Sequence, residues 1–402
     1  MKEREIQLIH FNKKEGNPRA IQRFRMENVQ KAVAFHKSFP EYSMTPLVQL
    51  DALAEAIGVS KVFVKDESYR FGLNAFKVLG GSYAIGNYIA RRLQKDISEL
   101  PSPVMASAEV KEALGPLTFI TATDGNHGRG IAWTANRLGQ RSVVYMPKGS
   151  SLERLHNIQA LGAEASVTDV NYDDAVRLAN AAAEKNGWIM VQDTAWEGYE
   201  EIPGWIMEGY TTMAYEAIEQ LCGEKPTHIF LQAGVGAMAG AVAGFFANLY
   251  PGDEKPIITI VEPHRANCLF RTAQADDGHI HSVEGDLNTI MAGLACGEPC
   301  TIAWEVFRSY ADNFVSIPEH IAAKGMRILG NPAGGDRKII SGESGAAALG
   351  FVAEVMENHA LAGLREQLGL CADSKVLCFS TEGATDRTAY REIVWDGRYP
   401  SC

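Results

Sequence analysis

The most informative stretch of this sequence reads Asn74-Ala75-Phe76-Lys77-Val78-Leu79-Gly80-Gly81-Ser82. An apolar run from Val62 to Val64 predicts a buried strand before it, and the pattern from Phe76 to Leu93 predicts a helix that contains most of it. Lys77 therefore falls at the junction of a loop and a helix, between apolar neighbours that would exclude water from its amine. Burial favours the neutral form of an amine, and a neutral amine can attack an aldehyde. An ordinary lysine with a packed stem and a solvated head is the alternative at this point.

Length and composition describe an ordinary globular protein. The chain of 402 residues is long enough for a large core and two or three domains. It is 46% hydrophobic and 22% charged, an ordinary mix for a globular protein. The net charge of −11 argues against nucleic acid or an anionic membrane as a partner. No apolar run is long enough for a membrane span or a secretion signal, so we expect a cytoplasmic protein. The seven cysteines are scattered and odd in number, so we expect no disulfide framework, and the one close pair, Cys296 and Cys300, falls short of the two pairs that a zinc site needs.

Strand and helix patterns alternate along most of the chain. They begin at Leu117, run to Gln192, and resume from Trp205 to Phe379. Alternation of this length predicts parallel strands with helices on the faces of the sheet. Residues 194–204 break the pattern as a crossing between domains would, and residues 96–116 resemble a linker or insertion. The sequence therefore predicts an α/β protein with two open sheets.

A second motif lies between a predicted strand and a predicted helix, at Thr123-Asp124-Gly125-Asn126-His127-Gly128. The N-terminus of a helix collects unpaired N–H groups and the positive end of the helix dipole, which suits an anion such as a carboxylate. Glycines in this loop would let the backbone approach a ligand closely. A tight turn that uses Asn and Gly for left-handed angles is the alternative.

A third motif, rich in glycine, follows another predicted strand and reads Gln232-Ala233-Gly234-Val235-Gly236-Ala237-Met238-Ala239-Gly240. Small residues would free its backbone amides to surround a phosphate. It is not a Walker loop, because no Gly-Lys-Ser/Thr sequence follows. Glu262 lies roughly where a dinucleotide-binding fold places its ribose carboxylate, so a nucleotide-dependent oxidoreductase is a competitor from this motif alone.

A fourth motif ends the last predicted strand, at Ser380-Thr381-Glu382-Gly383. A hydroxyl here could contact a neutral ring nitrogen, or it could simply cap a helix. The four motifs together supply a nucleophilic amine, an anion site, a phosphate site and a hydroxyl. Pyridoxal 5′-phosphate (PLP) needs one partner for its aldehyde, one for its phosphate and one for its ring nitrogen, so the set predicts PLP as cofactor.

In the order and spacing of these motifs the chain resembles the fold-type-II PLP enzymes, which include tryptophan synthase β, threonine dehydratase and cysteine synthase. Within that family it is most similar to the diaminopropionate ammonia-lyases. The resemblance runs from about residue 40 to 395 and implies two open, twisted α/β domains with the site in the cleft between them. We expect residues 1–85 and 195–402 to form the larger domain and residues 86–194 the smaller, and we expect a homodimer.

The resemblance also implies roles for individual residues. Lys77 would hold PLP. Further cofactor contacts would come from the following residues: Asn126, Gly234, Val235, Gly236, Ala237, Met238 and Ser380. The substrate carboxylate would bind at Thr123, Gly125, Asn126 and His127.

Asp124 departs from the pattern of the dehydratases, which place a small or hydroxyl residue before Gly-Asn-His. A carboxylate there would repel a plain amino acid but suits a substrate with a second positive charge. Asp193 could be a second such carboxylate, or a capping aspartate. The expected reaction is elimination of ammonia from 2,3-diaminopropionate, giving pyruvate and two ammonia, with Lys77, Asp124 and Asp193 as catalytic residues. Lys77 and Asp124 on opposite faces would admit both the L and D isomers. A serine/threonine dehydratase and a non-catalytic binding protein remain alternatives.

Overall fold

The computed structural model describes residues 5–11, 16–123 and 125–401, and all statements about the structure refer to these ranges. The strands are, in chain order, β1 (Gln7–His10), β2 (Leu47–Gln49), β3 (Lys61–Asp66), β4 (Thr118–Ala122), β5 (Arg141–Met146), β6 (Glu164–Val167), β7 (Ile189–Met190), β8 (His228–Gln232), β9 (Ile257–Pro263), β10 (Asn313–Ile317) and β11 (Lys375–Ser380). They form two separate sheets.

The larger sheet has seven strands in the order β1-β10-β9-β8-β11-β3-β2, and the smaller has four in the order β6-β5-β4-β7. All neighbours are parallel except at the two edges of the larger sheet, where β1 and β2 run antiparallel to β10 and β3. Because the inner strands of the larger sheet are covered on both faces, they are almost continuously apolar. In open α/β sheets, ligands bind in the crevice beyond the carboxyl ends of such strands.

The helices are α1 (Met26–Lys37), α2 (Asp51–Ile57), α3 (Val78–Arg92), α4 (Ser102–Met105), α5 (Ala108–Leu114), α6 (Asn126–Arg137), α7 (Leu152–Gln159), α8 (Tyr172–Asn186), α9 (Glu201–Leu221), α10 (Ala237–Leu249), α11 (Cys268–Ala275), α12 (Thr301–Tyr310), α13 (Glu319–Gly330), α14 (Glu343–Glu357), α15 (Ala362–Gln367) and α16 (Arg387–Val394). One face of the larger sheet packs against α2, α13 and α14, and the other packs against α9, α10 and α12. Within the described ranges, no helix is both long and apolar enough to cross a membrane.

The structure differs from the sequence expectations at two places near the site. Residues 96–116, expected to be a linker or insertion, contain a 3-10 helix and the two short helices α4 and α5. Helix α6 begins at Asn126 rather than Arg129, because Gly125 with φ of +147° ends the preceding loop and allows the helix to begin at once. Asn126 and His127 therefore lie in the first helical turn.

The predicted domain bounds place each sheet within one domain, because the smaller sheet lies between residues 118 and 190. Helix α3 runs without a break across the proposed boundary between residues 85 and 86. The bounds themselves stay a prediction.

Candidate active site

Residues from the carboxyl ends of both sheets line two adjoining cavities. The larger chamber is bounded by the glycine-rich loop after β8 and by Thr381 and Glu382 after β11. The smaller chamber is bounded by Thr123 and His127 from the end of β4 and the start of α6. Lys77, Tyr172 and Asp193 line both chambers, so the lysine stands where the two meet.

Lys77 immediately precedes α3, as the sequence predicted, and its side chain is only 15% exposed. The loop before it is fastened to the loop after β11 by two backbone hydrogen bonds. Phe76 N–H donates to Thr381 O at 3.0 Å, and Gly383 N–H donates to Asn74 O at 2.9 Å. Two of the four motifs, about 300 residues apart in sequence, are therefore held against each other.

Asp193 forms an ion pair with Lys77, with 2.7 Å between Oδ2 and Nζ. The carboxylate is buried, and burial alone would raise its pKa. The Lys77 ammonium outweighs that effect, with help from His127 and the Tyr172 hydroxyl, and lowers the pKa of Asp193 to about 2. Asp193 is therefore a carboxylate at neutral pH and holds a positive nitrogen within the site.

Gln192 and Tyr172 fix the orientation of Asp193. The Gln192 side-chain oxygen accepts hydrogen bonds from Thr121 Oγ1 at 2.8 Å and Ala122 N at 3.0 Å. Its amide nitrogen donates to Tyr172 Oη at 2.8 Å, and Tyr172 Oη donates to Asp193 Oδ1 at 3.3 Å. The carboxylate is thus supported from the interior of the smaller sheet. The sequence assigned no role to Tyr172 or Gln192, since nothing local in either marks it as a support for Asp193.

The loop proposed for the substrate carboxylate lies at the start of α6. Thr123 Oγ1 accepts from Gly125 N–H at 3.0 Å, and Gly125 precedes α6 without a side-chain cap on the helix. The start of α6 carries the positive end of the helix dipole, which suits an anion. His127 is buried and donates from Nε2 to Val191 O at 2.8 Å, which ties the loop to the segment before Asp193. Asp124 lies outside the described residues.

Asn126 lines the larger chamber beside a carboxylate that the sequence did not assign. Its Nδ2 donates to Glu382 Oε2 at 2.5 Å, and Glu382 Oε1 accepts from Ser344 N–H at 3.2 Å. Glu382 is 2% exposed and lines the same chamber. Only its place in the motif after β11 could have drawn attention to it.

The glycine-rich loop forms one wall of the larger chamber, with Gly234, Val235, Gly236, Ala237 and Met238 all at its surface. Gly236 has a φ of +98° and precedes α10, and no side chain caps that helix. A Cβ on Gly234 would lie 3.0 Å from Cys296 Sγ and 3.1 Å from Leu294 Cα, so a side chain there would crowd the wall. The loop therefore brings its backbone and the uncapped start of α10 to the surface of the chamber, which suits a phosphate.

At the ends of β8 and β11, an amide and a hydroxyl line the larger chamber. Ser380 is buried and donates to Ser341 Oγ at 2.8 Å, whereas Thr381 lines the chamber. Gln232 Nε2 donates to Phe379 O at 2.8 Å and to Thr381 Oγ1 at 2.9 Å, which leaves Gln232 Oε1 buried without a partner among the described residues. A buried acceptor of this kind is costly unless a ligand satisfies it. The role of Ser380 at a ring nitrogen stays a prediction.

These residues fit PLP. A partly buried lysine would hold the aldehyde, the uncapped loop would hold the phosphate, and the Gln232 oxygen without a partner marks a further polar position in the larger chamber. Glu262, which a dinucleotide-binding site would turn toward a ribose, instead accepts the N–H groups of Leu269 and Phe270 at the start of α11. The glycine-rich loop thus has no acidic partner for a nucleotide at that position.

Comparison with known proteins also indicates a PLP-dependent enzyme. Residues 39–369 match the family model described as "Pyridoxal-phosphate dependent enzyme". The chain is 51% identical over 401 residues to the diaminopropionate ammonia-lyase of Salmonella typhimurium, covering 98% of this chain and 99% of that protein. It is 52% identical over 379 residues to that of Escherichia coli, covering 94% and 93%.

Solved structures agree in fold. The E. coli diaminopropionate ammonia-lyase in complex with D-serine superposes with a TM-score of 0.92 at 48% identity, covering 98% of each chain. The same enzyme in complex with an aminoacrylate-PLP azomethine reaction intermediate gives a TM-score of 0.89. The predicted fold class and the predicted family are confirmed. Because the family model covers most of the sequence and the nearly full-length relatives share half of its residues, the chain belongs to the family of pyridoxal-phosphate-dependent enzymes.

Proposed function

We propose that this protein eliminates ammonia from 2,3-diaminopropionate and, after hydrolysis of the product, yields pyruvate and a second ammonia. The observation that carries the proposal is the ion pair between Lys77 and Asp193, which places a carboxylate within reach of a positive nitrogen inside the site. The name of the relatives at 51% and 52% identity supports the same substrate.

PLP withdraws electrons from the α-carbon of an amino acid bound to it, so the α-proton becomes acidic. Lys77 would hold the cofactor until the substrate α-amine displaces it. The freed, neutral Nζ is then within the chamber and accepts the α-proton on one face. The uncapped starts of α6 and α10 bind the substrate carboxylate and the cofactor phosphate, which fixes the α-carbon between them.

Asp193 would hold the β-nitrogen as an ammonium. In this structure the Lys77 ammonium occupies the position 2.7 Å from the carboxylate that a substrate ammonium would take over. When the bond from the β-carbon to this nitrogen breaks, its electron pair stays on nitrogen and neutral ammonia leaves. A β-amine without its proton would be a far poorer leaving group, so Asp193 promotes the elimination by keeping that proton in place.

Two stereochemical faces would need two bases. Lys77 serves one face, and we propose Asp124 for the other, so that both L- and D-2,3-diaminopropionate are substrates. Asp124→Asn should then reduce turnover of the D isomer more than that of the L isomer. Equal losses for the two isomers would remove this role.

The experiment that tests the function measures keto acid and ammonia released from L- and D-2,3-diaminopropionate, L-serine and L-threonine. We expect two ammonia per pyruvate from both diaminopropionate isomers, at rates well above those with the hydroxyl substrates. Activity confined to serine or threonine would make the protein a dehydratase and refute the proposal.

We also propose a homodimer in the cytoplasm. The cytoplasm is supported by the scattered spacing of the cysteines, which does not form the disulfide framework that small secreted proteins use. The homodimer rests on the family resemblance. Sedimentation of the purified protein as a monomer would contradict it.

A further inference from the structure

The backbone just before Lys77 is held in a conformation that side chains disfavour. Phe71 has a φ of +49° and Asn74 a φ of +60°, with Gly72 at +69° between them. Left-handed backbone at a bulky residue such as Phe71 is a genuine outlier and persists only where the surroundings impose it. The segment from Arg70 to Leu79, which carries Lys77, must therefore be held from outside.

A buried ionic cluster holds the segment upstream of Lys77. The Arg70 guanidinium donates to both oxygens of Glu216, at 2.8 and 2.7 Å, and to both oxygens of Glu67, at 2.8 and 2.9 Å. Lys65 Nζ lies 2.7 Å from Glu216 Oε2, so two cations balance two carboxylates. All four side chains are 0% exposed. Bidentate pairs of this kind fix both the position and the direction of the guanidinium.

A buried histidine holds the segment downstream of Lys77. His36 Nε2 donates to Leu79 O at 2.9 Å, and its Nδ1 pairs with Thr212 Oγ1 at 2.8 Å. Burial, together with the nearby Arg70 charge, lowers the pKa of His36 to about 3, so the ring is neutral and the threonine hydroxyl donates to Nδ1. Two hydrogen bonds therefore connect Thr212 through His36 to the carbonyl of Leu79, in the first turn of α3.

Both bridges start from one helix. Thr212 and Glu216 lie one turn apart on α9, and therefore on the same face. That face approaches α3 closely, because a Cβ on Gly209 would lie 2.4 Å from Leu79 O. The segment that carries Lys77 is thus attached to α9 at both ends, through Arg70 before the strained residues and through Leu79 after them.

We propose that α9 positions Lys77, with Glu216 acting through Arg70 and Thr212 acting through His36. These are positioning residues, because neither touches the chambers. The inference rests on the proposed function only in that Lys77 carries PLP. Losing either bridge lets the segment relax, so that Nζ meets the cofactor aldehyde in the wrong geometry and covalent attachment slows.

The test compares isosteric variants at neighbouring positions of α9 in the full-length protein. Thr212→Val removes the hydroxyl that orients His36. Thr211→Val is the matched control, because Thr211 is equally buried but donates at 2.6 Å to Glu208 O within its own helix. Thr212→Ser restores the hydroxyl. PLP is removed with hydroxylamine and added back, and attachment is followed by absorbance and by mapping the borohydride-reduced cofactor to Lys77.

Thr212→Val should slow attachment by about 10-fold or more, since small misplacements of reacting atoms have effects of this size. Thr211→Val and Thr212→Ser should stay within about 2-fold of the parent protein on the same grounds. Equal slowing in Thr211→Val and Thr212→Val, or the parent rate in Thr212→Val, would overturn the proposal.

A second pair tests the upstream bridge. Glu216→Gln alters a carboxylate of the ionic cluster, whereas Glu208→Gln alters a carboxyl of the same helix that pairs with Arg23 instead. Only Glu216→Gln should slow attachment, and equal effects would count against the inference. No substrate is used, so a protein that attaches PLP at Lys77 but does not act on diaminopropionate would refute the proposed function alone.

Discussion

Replacing Asp193 with asparagine should reduce activity on 2,3-diaminopropionate much more than activity on serine. The substitution keeps the size of the side chain and its contacts with Tyr172 and Gln192, but it removes the negative charge that faces Lys77 Nζ at 2.7 Å. Serine carries a neutral hydroxyl where diaminopropionate carries its β-amine. The charge should therefore matter for one substrate and not for the other.

The size of the effect follows from the electrostatics of this carboxylate. The ammonium of Lys77 and its neighbours lower the pKa of Asp193 from 3.8 to about 2 in spite of burial. That corresponds to a net attraction of about 2 kcal/mol between the carboxylate and its surroundings, after the desolvation cost. If a substrate ammonium replaces the Lys77 ammonium, losing this attraction should lower kcat/KM by about 30-fold.

The assay measures kcat/KM for L-2,3-diaminopropionate and for L-serine in the parent protein and in Asp193→Asn. Asp173→Asn is the control, because Asp173 is also a largely buried carboxyl but accepts a hydrogen bond from the backbone of Gly297 instead of facing Lys77. The ratio of the two kcat/KM values should fall by about 30-fold only in Asp193→Asn. An unchanged ratio would refute the idea that Asp193 recognises the β-nitrogen.

Three further results are expected. Lys77→Ala should abolish the borohydride-trapped cofactor, and an adduct that persists elsewhere would refute the assignment. Gly236→Ala should weaken PLP binding about 10-fold or more in equilibrium dialysis, because φ is +98° and the new Cβ would lie 2.9 Å from Phe307; unchanged affinity would contradict this. Burial raises the pKa of Glu262 from 4.5 to about 8, so folding stability should fall as pH rises through this range, by up to about 1.4 kcal/mol per pH unit. Urea unfolding of Glu262→Gln at pH 6, 7 and 8 should lack this slope, and an identical slope would disprove it.

The sequence predicted the fold class and the motifs because each of these has a local signature. Alternating strand and helix patterns predict parallel sheets, and parallel sheets bring the carboxyl ends of neighbouring strands to one edge. Lys77, the loop at 123–128 and the glycine-rich loop after β8 all follow strands, so their convergence could be expected. The structure places them around the same two chambers.

Local patterns do not show which of two neighbouring residues faces a cavity. The sequence favoured Ser380 for the chamber, but its side chain points to Ser341, and the next residue lines the wall instead. Alternate residues of a strand face opposite sides, so the choice between neighbours depends on where the strand ends.

The sequence by itself determined the α/β class, the family and the chemistry that the loops can offer, because these depend on residue types at short spacing. Only the tertiary structure decided which groups meet. The ion pair of Lys77 with Asp193 joins residues 116 positions apart, and the bridge from Thr212 through His36 joins α9 to α1 across 176 positions. No short-range pattern encodes such pairs, because the packing of helices against two separate sheets brings them together. Burial then makes each pair important for stability, since a buried charge or polar group without a partner is costly.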